Sequence, residues 1–185
     1  MNKIKISFKS ILFLIIIISN LSAFTFDKLE SGYSFKKVLY WAQDNNMPLC
    51  IDDYRYQEDG FKWHSLRNKE KYRIFHYYDI IFNKEATIDL HFTQKSNELY
   101  KLIIRWYANE ELKKTIIPIL DKKYHLSTVS GYINQWRPDN DTLITLENDI
   151  TGLFLTYTDL SYQHSEYKYK ERKQLEIIVK DANKL

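Results

Sequence analysis

Apolar and polar residues alternate most clearly near the middle of the chain. Every second residue of Thr87–Thr93 is apolar, which is the pattern of a strand with one buried face. Tyr72–Phe82 and Tyr100–Trp106 are rich in β-branched and aromatic residues, and short polar breaks separate them from that segment. Because such short breaks join neighbouring strands, the pattern predicts an antiparallel meander of three strands.

Two further segments have the helical period. Phe35–Ala42 repeats its apolar residues at intervals of three and four, directly after Ser34, a residue type that commonly begins helices. A second such segment begins at Asn109, and two glutamates follow where negative charge favours a helix N-terminus. Pro118 lies inside this second pattern and is expected to kink or split the helix, because it removes a backbone donor.

The C-terminal segment predicts a third helix from about Ser165. Five apolar residues fall on one side of it: Leu175, Ile178, Val179, Ala182 and Leu185. We expect this stripe to dock on the sheet, so that Ile178 is a core residue. The alternative is a detached basic amphipathic tail on a membrane surface, which three nearby acidic residues disfavour.

Strands recur after the second helix, in His125–Trp136, Thr142–Glu147 and Leu153–Thr158. The order helix, strands, helix, strands, helix favours an α+β fold, with antiparallel meanders rather than a βαβ succession. We expect the helices on one face of the sheet and the other face partly open. The order also allows two related halves, although the halves do not match residue for residue. No linker-like stretch interrupts Phe24–Leu185, which predicts a single domain.

The N-terminus has the pattern of a secretory signal peptide. Met1–Ser10 contains three lysines and no acid, Ile11–Ile18 is apolar throughout, and small or polar residues lead to Ala23. The apolar run is shorter than the roughly 20 residues that span a bilayer as a helix. The sequence therefore predicts that residues 1–23 are removed, that the protein is periplasmic or secreted, and that no transmembrane segment is left after cleavage.

Removal of that leader changes the net charge. The whole chain has 27 Lys and Arg against 24 Asp and Glu, and three of the lysines lie in the leader, which leaves 24 of each. A nucleic-acid-binding protein normally concentrates a basic surplus on one face. We therefore expect no nucleic-acid partner.

The residues that could support catalysis or metal binding lack the required spacing. Cys50 is the single cysteine, and no histidine lies within a dozen residues to act as its base, so a buried structural thiol is the simpler interpretation. The five histidines show no metal-ligand spacing. Asp139–Asp141 opens like a calcium loop but continues without the required glycine. The sequence predicts no catalytic residue, no metal and no cofactor.

One candidate binding surface lies on the predicted central strand. Asp89 and His91 share a face of that strand, because residues two positions apart point the same way. Lys101 or Arg105 from a neighbouring strand could join them. The simpler interpretation is an ordinary solvated outer face.

A second candidate surface lies in Leu49–Lys71, a polar stretch with no clear period. It contains Phe61, Trp63 and His64 in close succession. Large aromatic residues in a long loop are typical of binding sites, which often lie on loops.

These observations favour a noncatalytic binding or interaction protein of the bacterial cell envelope, with a protein, peptide or glycan as its ligand. The alternative is an envelope hydrolase that uses the acids Asp52, Asp53, Glu58 and Asp59. Two facing carboxylates in a deep pocket, or a histidine beside Cys50, would favour the enzyme. A shallow aromatic groove would favour the binding protein.

Overall fold

The computed structural model describes residues 23–47, 49–50, 74–107 and 109–182. These ranges contain nine strands and three helices, in the order β1 (Thr25–Phe26), β2 (Leu29–Glu30), α1 (Phe35–Asp44), β3 (Ile74–Ile81), β4 (Lys84–Phe92), β5 (Leu99–Trp106), α2 (Glu110–Tyr124), β6 (Thr128–Ser130), β7 (Ile133–Trp136), β8 (Thr142–Asn148), β9 (Leu153–Asp159) and α3 (Leu160–Ala182). The predicted α+β fold and element order are confirmed, with a short β1–β2 hairpin added before the first helix.

Seven of the strands form one antiparallel sheet in the order β3-β4-β5-β9-β8-β7-β6. The predicted meander is its first part: Leu90 lies opposite Leu102, in the register that puts the alternating apolar residues of both strands on one face. The second meander runs from β6 to β9. The two meanders join where β5, the last strand of the first, pairs with β9, the last strand of the second.

The inner face of the sheet is the hydrophobic core, and α1 and α2 cover it. Phe35 of α1 packs against Phe75 and Phe92, with ring centroids 4.7 and 5.4 Å apart. The other helix, α2, buries Leu112, Ile116 and Leu120, and it contacts β7 and β8. Both helices therefore use the same face, as the pattern of apolar residues predicted.

The predicted starts of α1 and α2 are correct, and Pro118 does not split α2. Ser34 Oγ accepts the N–H of Lys37 at 3.3 Å, and Asn109 Oδ1 accepts the N–H of Leu112 at 2.9 Å. The helix α2 runs through Pro118 as a single element. Pro118 is exposed, so water can reach the carbonyl that its ring leaves unpaired, and the buried face of α2 keeps both ends of the helix on the sheet.

The C-terminal helix begins earlier than predicted and docks through a different face. It starts at Leu160, directly after β9, and Asp159 Oδ1 accepts the N–H groups of its first residues. Glu166 is buried, whereas Tyr162 and Tyr169 on the same side are half-buried. Because 3.6 residues make a turn, the predicted stripe lies on the opposite side of the helix from Glu166.

The docking of that stripe was predicted wrongly. Leu175, Ile178 and Val179 are 60%, 62% and 57% exposed. The side chains of Ala182 and Leu185 lie outside the described residues. Ile178 is therefore not a core residue. In the described ranges, no helix combines the length and the apolar character that crossing a membrane requires.

Candidate binding surface on the outer face of the sheet

The sheet face opposite α1 and α2 carries three cross-strand rows of side chains. Residues paired across antiparallel strands point to the same face, so the pairing of β3, β4, β5 and β9 fixes these rows. They are Ile74, His91, Lys101 and Thr158; then His76, Asp89, Ile103 and Thr156; then Tyr78, Thr87, Arg105 and Phe154. We call this region the outer face.

Asp89 and Arg105 form an ion pair on the outer face. The guanidinium Nη2 lies 2.9 Å from Asp89 Oδ1, and the two side chains are 39% and 10% exposed, respectively. Asp89 was named from the sequence, with Arg105 as one of two partners. The expectation of an ordinary solvated face is wrong at this position, because Asp89 is buried.

Lys101, the other expected partner, is half-buried beside Asp89. Burial lowers the pKa of Lys101, and the charge of Asp89 opposes that shift. One buried carboxylate thus lies close to two cations.

His91 completes the group of ionisable residues. Burial, together with the smaller effect of the positive charges of Lys101 and Arg105, lowers its pKa to about 4. The imidazole is therefore neutral near pH 7, and its ring lies 6.5 Å from that of Tyr100. Its Nε2 is buried and has no hydrogen-bond partner in the part of the chain that the structure describes.

A groove of about 490 Å³ opens beside this group. Tyr78, Tyr107 and Phe154 supply aromatic rings, and Thr87 and Thr151 supply hydroxyls; His76, Glu85, Ala86, Arg105 and Trp106 also line it. Arg105 connects the groove with Asp89, since its Nη2 bonds to Asp89 while the same side chain lines the groove. We call this feature the outer-face groove.

Sequence reasoning missed the aromatic part of the groove. Phe154 lies opposite Arg105 only because β9 pairs with β5, and no local pattern in either strand predicts that pairing. Tyr78 could have been found, because the predicted meander places it on the same face as Asp89.

The second predicted surface and the alternative catalytic acids are not tested. Phe61, Trp63 and His64 lie outside the described residues. The same is true of the four acids of the 52–59 segment. Both remain predictions.

A histidine does lie beside Cys50, although none is near it in sequence. The N–H of Cys50 donates to the carbonyl of His76 at 2.7 Å, and the N–H of His76 donates back at 3.0 Å. His76 in turn lies opposite Asp89, so Cys50, His76 and Asp89 follow one another across the sheet. However, Cys50 is buried, and burial raises the pKa of its thiol, which is the reverse of what a nucleophile needs.

Asp139 organises the turn that follows β7. Asp139 Oδ1 accepts the N–H groups of Asp141 and Thr142 at 2.8 and 2.6 Å. Across the described ranges, no group of three or more His, Cys, Asp or Glu side chains is arranged to hold a metal ion.

Comparisons with known proteins add no relative: no protein-family model, curated protein or solved structure matches this chain. The function must therefore be inferred from the chemistry of the outer face and from the N-terminal sequence.

Proposed function

We propose that this chain is an exported, noncatalytic binding protein of the bacterial cell envelope, and that its ligand binds in the outer-face groove. The observation that carries the proposal is the combination, in one groove, of aromatic walls with the guanidinium of Arg105. Ligand sites typically join apolar and aromatic walls to a few fixed polar groups, which give orientation and specificity.

The polar part of the groove is held in place before any ligand arrives. Asp89 is buried on β4, between two neighbouring strands. It holds the guanidinium of Arg105 through their ion pair. A side chain held in this way loses little freedom on binding, which favours recognition.

Export is supported by the N-terminal sequence. The lysines of Met1–Ser10, the apolar run of Ile11–Ile18 and the small residue Ala23 follow the order of a signal peptide. If cleavage follows Ala23, mass spectrometry of the protein from its host will find Phe24 at the N-terminus. Recovery of intact Met1 in the soluble cytoplasmic fraction would contradict export.

A thiol enzyme is the second candidate, because Cys50, His76 and Asp89 lie in one row across the sheet. Its test is the reaction of Cys50 with a disulfide reagent at neutral pH. A buried structural thiol reacts in the native protein only as fast as the protein opens, whereas an activated thiolate reacts at once. Fast labelling that His76→Gln abolishes would favour the enzyme over the binding protein.

The binding proposal is tested with the mature chain and defined ligands. Soluble envelope glycans and short wall peptides are titrated while tryptophan fluorescence and backbone amide shifts are recorded. We expect shifts at Thr87, Arg105 and Trp106, and loss of binding in Tyr78→Ala. The matched control is Tyr132→Ala, which removes an 80% exposed tyrosine far from the groove in sequence. Equal affinities in the two variants would overturn the groove as the binding site.

A further inference from the structure

The aromatic rings of the outer-face groove are open to a ligand and partly held in place. Tyr78 is 54% exposed and Tyr107 is 88% exposed. The ring of Tyr78 packs nearly perpendicular to that of His76, with the centroids 5.6 Å apart. The end of the Phe154 ring lies over Gly152, since a Cβ added to that glycine would lie 3.4 Å from Phe154 Cζ. A ligand that covers these rings gains apolar contact.

The charges at the groove leave no positive surplus. Among the described lining residues, Arg105 is the one Lys or Arg and Glu85 the one Asp or Glu. Asp89 pairs with Arg105 at 2.9 Å and lies near Lys101. Glu147 adds a carboxylate to the same cross-strand row as Arg105, two strands away. The carboxylates therefore disfavour an anion, and the guanidinium that lines the groove disfavours a cation.

The polar side chains of the groove include both donors and acceptors of hydrogen bonds. Arg105 donates and Glu85 accepts, whereas the hydroxyl of Thr87 can do both. The hydroxyl of Thr151 donates to Asp149 Oδ1 at 2.6 Å and keeps its lone pairs as acceptors. A ligand rich in hydroxyl groups matches this set, because each of its hydroxyls can also donate and accept.

We infer that the ligand of the outer-face groove is a neutral oligosaccharide, whose sugar rings lie against Tyr78 and Phe154 and whose hydroxyls bond to the polar side chains between them. This inference rests on the proposed function and specifies its ligand class. The face of an aromatic ring is negative, so it attracts the slightly positive C–H hydrogens on the face of a pyranose. The hydroxyls at the rim of the sugar then remain available to the polar groups.

The span of the groove favours more than one sugar ring. Tyr78 on β3 and Phe154 on β9 are three strand spacings apart, which is about 14 Å between their backbones. A ligand that contacts both rings is therefore longer than a single pyranose. The groove volume of about 490 Å³ lies within the range of small-ligand sites, roughly 300–1,000 Å³.

The position of the groove within the sheet favours a sugar over an extended peptide. The strands β4 and β5 lie inside the sheet, with a paired strand on each side. Extended peptides commonly bind by adding a strand to a free edge, where backbone donors and acceptors are available. The groove offers side chains and rings instead, which suits a ligand without a peptide backbone.

The test compares neutral trisaccharides with relatives that carry charge. The neutral probes are triacetylchitotriose and the methyl ester of trigalacturonic acid; the charged probes are deacetylated chitotriose and trigalacturonic acid itself. Backbone amide shifts of the mature chain give the affinities. We expect at least one neutral trisaccharide to shift Thr87 and Arg105, and each neutral form to bind at least as tightly as its charged relative. N-acetylglucosamine should bind about tenfold or more weakly than triacetylchitotriose, because it covers one ring only.

Variants of Tyr78 test the contact between the ring and the sugar. Tyr78→Ala should weaken binding of the trisaccharide about tenfold and remove the upfield ring-current shift of its C–H protons. Tyr78→Phe keeps the ring and should retain both. The matched control is Tyr132→Ala, at an 80% exposed position outside the groove, which should also retain both. Equal losses in Tyr78→Phe and Tyr78→Ala would contradict the stacking.

The outcomes separate this inference from the proposed function. If acetyl-Ala-Ala-amide shifts Thr87 and Arg105 and no trisaccharide does so at tens of millimolar, the carbohydrate inference is wrong and groove binding remains. Tighter binding of a charged form than of its neutral relative would overturn the inferred neutrality. Trisaccharide binding that shifts other residues and leaves Thr87 and Arg105 unchanged would overturn both the inference and the groove.

Discussion

The two halves of the sheet share an inner face and differ on the outer face. The first half is α1 with β3–β5, and the second is α2 with β7–β9; they meet where β5 pairs with β9. Both halves bury large apolar side chains under a helix. On the outer face, the strand positions of the first half include His76, Asp89, His91, Lys101 and Arg105, whereas those of the second half include one ionisable residue, Glu147.

This difference separates stability from function. The second half forms an equivalent helix-covered sheet with mainly threonine, leucine and phenylalanine on its outer positions, so the ionisable group of the first half is not needed to build such a sheet. Buried ionisable residues are unfavourable unless they are paired. Their concentration in one half is an argument for the proposed binding role of the outer-face groove.

The largest expected effect is common to both halves. Leu90→Ala in the first half and Leu146→Ala in the second each remove a fully buried side chain from the inner face. Each should lower the free energy of unfolding by about 2–5 kcal/mol, measured by urea denaturation. Ile80→Ala, at a 70% exposed position, is the control and should change it by about 0.5 kcal/mol or less. A loss below about 0.5 kcal/mol in either variant would contradict the burial of that side chain in the core.

The second prediction concerns pH and applies to the first half alone. Burial and the positive charges of Lys101 and Arg105 together lower the pKa of His91 from 6.5 to about 4, so between these values the unfolded chain binds a proton that the folded protein does not. The contribution of His91 to the free energy of unfolding is therefore complete above pH 6.5. It decreases as the pH falls toward 4, by up to about 3 kcal/mol. Lys101 and Arg105 oppose protonation of His91.

The measurement is the unfolding free energy of wild type and His91→Gln across this pH range. The difference between the two proteins isolates His91 from the acids that titrate nearby. His164→Gln, at an exposed position of α3, is the control and should leave the pH dependence unchanged. An identical pH dependence in wild type and His91→Gln would contradict the burial of a neutral imidazole.

A third prediction compares ionisable residues across the halves. Asp89→Asn removes the carboxylate that Arg105 and Lys101 share, and it should lower the free energy of unfolding by about 1–2 kcal/mol, since the pair is only partly buried. Glu147→Gln in the second half should change it by about 0.5 kcal/mol or less. Chemical denaturation at pH 7 measures both. If Glu147→Gln has the larger effect, the ionisable group of the first half is not the exceptional one.

Features that follow from the short period of a strand could be predicted from the sequence. Contacts that depend on the pairing of distant strands could not. Alternation in Thr87–Thr93 placed Asp89 and His91 on the outer face, because strand geometry makes every second side chain share a face. The pairings of Phe154 with Arg105 and of Cys50 with His76 join distant segments, and no local pattern contains them. Hence Asp89 and His91 could be placed from the sequence, whereas the aromatic wall of the groove and the histidine beside Cys50 could not.

The C-terminal helix shows a different limit of sequence reasoning. The helical period of this segment was predicted correctly. However, the side of the helix that packs against the rest of the protein is not its most apolar side. Glu166 is buried because its carboxylate accepts the N–H of Gln94 at 2.7 Å, and the half-buried Tyr162 and Tyr169 lie on the same side. A charged residue satisfied by a backbone donor can thus occupy a buried position that a hydrophobic pattern assigns to leucine or isoleucine.

The smallest expected effect follows from that correction. Ile178 is 62% exposed, so Ile178→Ala should shift the thermal midpoint by no more than Lys173→Ala or Lys180→Ala does, in a circular-dichroism melt. Glu166→Gln is the positive control on the same helix, because it weakens the bond to Gln94. A loss of about 2 kcal/mol or more in Ile178→Ala would mean that the apolar stripe is covered in solution. Sedimentation of the wild type and of Ile178→Ala with liposomes distinguishes a membrane-bound tail from a free helix. A membrane-bound tail binds liposomes less tightly in the variant, whereas a free helix binds them in neither protein.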